Sequence, residues 1–198
     1  MTGQTVNKKR YYLYNPDANG FAGVGFSLAD NDKITRIHFN DEPLSATWKP
    51  RSCHIFDDNP PTDGDFPSLS NFNEIPLMSE RAWTALRPLI GYCCEALPII
   101  HPSGEAYFIV HVMNTIDALD ADASNVRRHE GPKPEDRRIY RIDRYAFRNK
   151  MLRGQHLFKL PHLSGSELIV DDEFRRAVEA NRLRGLLFRE LPLNDSRG

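Results

Sequence analysis

The chain has 198 residues, a formal net charge of −1 and a hydrophobic share of 40%. A chain of this length can bury about 70% of its unfolded surface, so it needs no disulfide or metal to fold. Its charge gives no overall attraction to nucleic acid or membranes, and it lacks any run of about 20 apolar residues that would span a bilayer. We therefore expect a single domain over 1–198, with two lobes, 1–70 and 74–192, as the alternative.

The cysteine pattern and the first residues indicate the compartment. Cys53, Cys93 and Cys94 form no CxxC motif, and three cysteines cannot all pair within one chain, which argues against a disulfide framework or a zinc ribbon. Residues 8–10 are basic, and no long apolar signal core follows them. We therefore expect a cytoplasmic protein.

The N-terminal part, residues 1–70, is predicted to be rich in strands. Residues 11–14 form an aromatic strand, and turn-forming residues follow it. Two further strands are predicted over 21–26 and 34–39, with a turn at 30–32 between them.

Residues 52–80 differ from the rest because they contain several acids and prolines but no lysine or arginine. The acids are Asp57, Asp58, Asp63, Asp65, Glu74 and Glu80. Proline disfavours regular elements, so we predict a long loop, which in a compact domain is more often than not functional or disordered. It is either an anionic surface for a basic partner or a plain solvated linker.

The C-terminal two thirds predict two helix-strand units around a central strand. Residues 106–113 are almost uncharged and rich in β-branched and aromatic residues, which is typical of a strand covered on both faces. One predicted helix covers about 80–88, capped by Ser79, and the other covers 172–183; each precedes a glycine and a strand. The predicted fold is α+β, with mostly antiparallel strands and these two principal helices packed on them.

The segment 127–153 is basic, with ten lysines and arginines against four acids. Arg137, Arg138, Arg141 and Arg144 suggest an alternative function, a small nucleic-acid-binding module. Arginines interleaved with acids are more typical of a solvated strand face, and the whole chain is not basic.

No catalytic, cofactor or metal residues are predicted. Cys53 with His54, and Cys94 with His101 or His111, are the candidate nucleophile–base pairs, but neither cysteine has a known signature around it. The carboxylates Asp117, Asp120 and Asp122 lack the glycine and the final glutamate of an EF-hand loop. An unrecognised hydrolase remains the third alternative.

Several ordered stretches between residues 74 and 192 together resemble immunity protein family eleven of bacterial polymorphic toxin systems. These stretches are 77–82, Leu97-Pro98, 107–112, 116–120, Ser124, 156–160, 170–174 and 184–188. The resemblance implies a bacterial protein, encoded beside a secreted antibacterial toxin, that binds the toxin domain and blocks its active site. It requires no catalysis, cofactor, nucleic acid or membrane.

A hypothesis about the contact follows from the resemblance and the acidic loop together. Nucleases are one common class of such toxins, and their active sites are basic. Asp57, Asp58, Asp63 and Asp65 are therefore our candidate toxin-binding residues, standing in for substrate phosphates.

Overall fold

A computed structural model describes residues 9–56, 62–69, 74–133, 137–161 and 167–194 of the chain. The α helices in these ranges are α1 (Leu28–Ile37), α2 (Glu80–Ile90) and α3 (Asp172–Ala180). The strands are β1 (Tyr11–Pro16), β2 (Gly23–Phe26), β3 (Arg51–Ile55), β4 (Ser68–Leu69), β5 (Leu77–Ser79), β6 (Cys94–Ile100), β7 (Ala106–Val112), β8 (Asn125–Arg128), β9 (Ile139–Arg144), β10 (Leu157–Lys159), β11 (Leu168–Asp171) and β12 (Leu186–Glu190). A 3₁₀ turn covers Asn149–Leu152.

The larger sheet has the strand order β4-β2-β3-β6-β7-β5. Its pairs are antiparallel except β2 with β4 and β3 with β6. Strand β7 lies between β5 and β6, and its consecutive residues Ile109 and Val110 are both buried although they point to opposite faces. The prediction that this strand is covered on both faces is thereby confirmed, but β7 lies next to the edge strand β5 and not at the centre of the sheet.

The second sheet has the order β10-β11-β1-β12 and is antiparallel throughout. Strand β1 therefore lies between two strands from the far end of the chain. One core cluster is shared by α2, α3, one face of β7 and one face of β1, so the two helices connect both sheets. A separate two-stranded sheet, β8 with β9, packs on a different core cluster beside β1.

The predicted α+β fold with mostly antiparallel strands is confirmed, but the helix prediction was incomplete. Residues 34–39, predicted as a strand, lie mostly within α1, which begins after Ser27, whose hydroxyl accepts a hydrogen bond from the Asp30 amide. Ile34 and Ile37 are buried one helical turn apart, which strand alternation would not achieve. A third helix therefore joins the predicted pair.

The two predicted helices differ slightly in their bounds from those expected. Helix α2 continues past Pro88 to Ile90, while α3 ends at Ala180 instead of 183. The segment 52–80, predicted to be loop throughout, contains most of β3 and the short strands β4 and β5. Among the described residues, no helix is long and apolar enough to cross a membrane.

Candidate functional site

The structure describes part of residues 52–80, which we call the acidic segment. Asp57 and Asp58 lie outside the described residues. Residues 62–65 are held by backbone hydrogen bonds to three separate parts of the chain: Ala22 N donates to Thr62 O at 2.9 Å, Asp65 N donates to Arg184 O at 2.8 Å, and Ser79 N donates to Asp65 O at 2.9 Å. This part of the segment is therefore built into the fold.

Asp65 points inward and is saturated with partners from its own chain. Its carboxylate accepts hydrogen bonds from Arg81 Nε and Nη2 at 3.2 and 3.1 Å, from Ser79 Oγ at 2.8 Å and from Arg184 N at 2.8 Å. The same Arg81 donates to the Arg182 carbonyl at 2.6 Å. Asp65 thus ties together the acidic segment, the start of α2 and the approach to β12.

Asp63 differs from Asp65 because it is exposed. It lies close to Tyr107, whose hydroxyl donates to Gly64 O at 3.0 Å. Burial, and secondly the charge of Asp63, raise the pKa of Tyr107 to about 12. Burial lowers the pKa of His101, and the negative charge of Asp63 partly offsets that shift. Of the four predicted aspartates, Asp63 is the one that the described structure leaves accessible.

The basic region forms a hairpin. We use the name basic hairpin for β8, β9 and the described residues 129–133 and 137–138 between them. It carries seven lysines and arginines and two acids. Val126 and Ile142 face each other in the register and pack with buried Ile139 against the core. One face of the hairpin is thereby anchored, and Arg127, Arg141 and Asp143 lie on the other, outer face.

A carboxylate orders two arginines on the outer face. Arg127 and Arg141 are register partners, and each donates its Nε to one oxygen of Asp143, at 2.8 and 2.7 Å respectively. The hydrogen bond from Arg127 is the largest cause of the lowered pKa of Asp143. This contact has a signal in the sequence, because Arg141 and Asp143 are two residues apart on one strand and therefore lie on the same face.

The base of the hairpin is fixed by Ser124. Its hydroxyl donates to Asp120 O at 2.6 Å and accepts from Ala146 N at 2.8 Å. Asn194 Nδ2 donates to Ala123 O at 2.7 Å. These bonds join the strand entering the hairpin to the strand leaving it, so its orientation on the core is set.

A cleft of about 290 Å³ lies beside the hairpin, lined among others by Asp117, Asp120, Asp122, Arg128 and Arg148. Asp117 is paired with Arg148 at 2.8 Å, and Asp120 accepts a hydrogen bond from Ala123 N at 3.1 Å. Within the described ranges, no group of histidine, cysteine, aspartate or glutamate side chains could hold a metal ion.

The candidate nucleophile–base pairs are not assembled. All three cysteines are buried free thiols, and burial raises the pKa of Cys53 to about 11. His54 packs on Phe56, and His101 Nδ1 lies 2.7 Å from Ser103 Oγ. In the part of the chain that the structure describes, no hydrogen bond joins a cysteine sulfur to a histidine.

His111 belongs to an internal network instead. Its Nδ1 lies 3.4 Å from Glu95 Oε2, and its Nε2 lies 2.6 Å from Asn40 O. Glu95 also accepts from Leu44 N at 2.7 Å and from Ser45 Oγ at 2.6 Å. The fully buried ring therefore fastens the segment after α1 onto β6 and β7.

Comparison with known proteins gives one family. Residues 100–192 match the model of the Immunity protein family (Imm11). This match confirms the predicted resemblance over residues 100–192, whereas the stretches 77–82 and Leu97-Pro98 lie before it. The matched range includes the whole basic hairpin and the cleft. Among curated proteins, no sequence matches the chain.

Proposed function

Since residues 100–192 match an immunity protein family, we propose that this chain protects a bacterium from an antibacterial toxin by binding the toxin domain. The family match is the observation that carries the proposal. The protein acts as a binder in the cytoplasm, not as an enzyme, and belongs to a polymorphic toxin system used in competition between bacteria. Its partner is the toxin encoded beside it.

The mechanism we propose is occlusion of the toxin's active site. A protein surface that fills an active site needs a rigid shape and complementary charge, and it needs no chemistry of its own. The anchoring of residues 62–65 to three separate parts of the chain supports the required rigidity. A nuclease is the toxin class that this mechanism fits best, because an acidic segment complements a basic active site.

Within the acidic segment, the proposed contacts are Asp63 together with Asp57 and Asp58. Asp65 has a different role in this proposal, because its carboxylate is already occupied by Arg81, Ser79 and Arg184. It holds the segment in position while its neighbours meet the toxin. Substituting Asp65 would therefore disturb folding and binding together, so it is left intact in the test.

The test replaces the three other aspartates. We expect the Asp57→Asn/Asp58→Asn/Asp63→Asn variant to bind the purified toxin domain roughly tenfold or more weakly than the wild type, with a smaller dependence on salt, because complementary charge is lost. Binding is measured by calorimetry at low and moderate salt. Protection is measured as growth of cells that express the toxin.

The matched control removes three exposed acids elsewhere in the chain, as Asp32→Asn/Glu42→Gln/Glu190→Gln. It changes net charge equally and should bind as the wild type does. Equal weakening of binding in both variants would mean that net charge causes the loss and that the three aspartates do not contact the toxin. A wild type that neither binds nor protects against the neighbouring toxin would overturn the proposed function itself.

A further inference from the structure

We propose that the outer face of the basic hairpin is a toxin-contacting surface that binds carboxylates on an acidic patch of the toxin domain. The inference rests on the proposed immunity function and adds the surface and the chemistry of its partner. It concerns a contact separate from the acidic segment, so either can fail without the other.

The location of the family match is the first support. The matched residues 100–192 contain all of β8 and β9, whereas the acidic segment of 52–80 lies outside them. The part of the chain that is shared with immunity proteins therefore presents a basic exposed face, on a chain whose net charge is −1. A local excess of positive charge on a neutral chain favours a local anionic partner.

The hairpin is prepared for binding by its attachment to the core. Ser124 fixes its base, and Val126 and Ile142 anchor its inner face. The outer face needs no rearrangement to meet a partner, so little conformational freedom is lost on association. A flexible basic tail would lose more conformational freedom on binding.

Asp143 holds the side chains of Arg127 and Arg141 in position. Each uses its Nε in the bond to Asp143, and among the described residues neither guanidinium has a hydrogen bond from its Nη atoms. Both side chains remain exposed, at 55% and 62%. Two parallel N–H groups on a held guanidinium match the two oxygens of a carboxylate. The triad of Arg127, Asp143 and Arg141 thus offers donors at fixed positions.

An exposed aromatic residue lies on the same strand. Tyr140 is 48% exposed, and its ring lies 4.8 Å from that of His129 between centroids. Tyrosine and arginine are the residue types that dominate binding energy at protein interfaces. Their combination on one anchored hairpin fits a protein partner.

Protein carboxylates fit this face better than nucleic acid phosphates. Asp143 lies between the two arginines, and Glu130 is exposed in the same hairpin, so a run of phosphates would meet negative charge at both positions. A discrete carboxylate can contact one guanidinium without approaching either acid. We therefore commit to an acidic protein surface.

The test compares two double variants that lose the same charge. In Arg127→Gln/Arg141→Gln the triad loses both donors, and in the control Arg36→Gln/Arg87→Gln two exposed arginines of α1 and α2 are lost. The probe is a catalytically inactive form of the toxin domain encoded beside this chain. We expect roughly a hundredfold rise in the dissociation constant for the hairpin variant and less than about twofold for the control. Circular dichroism and thermal melting verify that both variants fold.

The outcomes separate the two proposals. If the wild type binds the toxin and the hairpin variant binds equally well, this inference is overturned and the immunity function stands. If the wild type does not bind the toxin, the immunity function falls and this inference with it. A filter-binding assay with labelled DNA and RNA at low salt gives the third outcome. If the wild type binds the nucleic acid and the hairpin variant does not, the partner of this face is nucleic acid and the inference is overturned.

Discussion

At the scale of single residues, His38 is the most informative titrating group. Its side chain is buried, and its Nδ1 donates to Glu74 O at 3.1 Å. Burial, and secondly the nearby Lys159 charge, lower the pKa of His38 from 6.5 to about 4. A histidine with a lowered pKa binds its proton more readily in the unfolded chain. The free energy of unfolding therefore falls as pH drops from 6.5 toward 4.

We predict that the His38→Asn variant, whose amide retains a donor near the position of Nδ1, loses less stability on acidification than the wild type. Between pH 8 and pH 5 the difference should be about 1–2 kcal/mol, allowing for partial solvent screening. Urea unfolding at the two pH values measures it. Parallel losses in both proteins would show that other groups control the acid response.

Asp65 shows the limit of sequence reasoning at this scale. Its acidity and its place in a proline-bearing segment were visible, but its burial depends on Arg81 and Arg184, which reach it only after folding. One signal was available: Arg81 lies in the first turn of α2, where the positive end of the helix dipole disfavours a cation and favours acids near it, such as Glu80 in the same turn and Asp65 from the acidic segment.

At the scale of elements, helix α3 depends on its N-cap more than α1 does. Asp171 Oδ1 accepts from the amides of Glu173 and Phe174, both at 3.0 Å, and Oδ2 lies 3.1 Å from Lys9 Nζ and 3.0 Å from His156 Nδ1. The side chain is fully buried. The cap of α1, Ser27, is exposed and accepts from one amide.

We predict that Asp171→Ala lowers the free energy of unfolding by about 3 kcal/mol or more, because it removes a cap and leaves buried donors unpaired. Ser27→Ala should cost about 1 kcal/mol. Chemical denaturation of both variants gives the comparison. Equal losses would mean that the contacts of Asp171 beyond the cap contribute nothing to stability.

Elements with a clear period were predicted from sequence, and α1 was not. Residues 34–39, of which 34–37 lie in α1, are rich in β-branched and aromatic residues, which favours a strand locally. The competing signal was Ser27 followed three residues later by Asp30, an N-terminal helix signature. The packing of Ile34 and Ile37 on the larger sheet decides the outcome, and that packing is invisible in a local window.

At the scale of the whole molecule, Lys159 joins distant parts of the chain. Its Nζ donates to His38 O and to Asp41 Oδ1, both at 2.8 Å, and Thr115 Oγ1 donates to the same carboxylate oxygen at 3.0 Å. The Lys159 side chain is 5% exposed, whereas that of Asp41 is 49% exposed. An ion pair of unequal burial thereby connects a residue inside the family match, Lys159, to a residue that precedes the match, Asp41.

We predict an asymmetric response to breaking this pair. Asp41→Ala leaves a buried ammonium without its counter-charge and should cost about 3 kcal/mol or more, whereas Lys159→Met leaves a carboxylate that water can reach and should cost about 1–2 kcal/mol. The double variant should resemble Lys159→Met alone. Denaturant midpoints with constant slopes measure all three, and the reverse order would contradict the account.

The pairing of a strand near the N-terminus with strands near the C-terminus could not be predicted from the sequence. The sequence places β1 far from β11 and β12, and no local pattern indicates that these strands pair. The aromatic composition of residues 11–14 did predict a strand, and the structure shows that all four residues from Tyr11 to Tyr14 are buried. Its neighbours follow from the whole arrangement and not from its own residues.

The insertion of β1 between β11 and β12 has a consequence for the timing of synthesis. This early strand acquires its hydrogen-bonded neighbours only after the ribosome has made the final two strands, and pairing over such a separation is slow. Nascent chains would lack the second sheet. Under the proposed immunity function, finished molecules must therefore be present before the toxin becomes active.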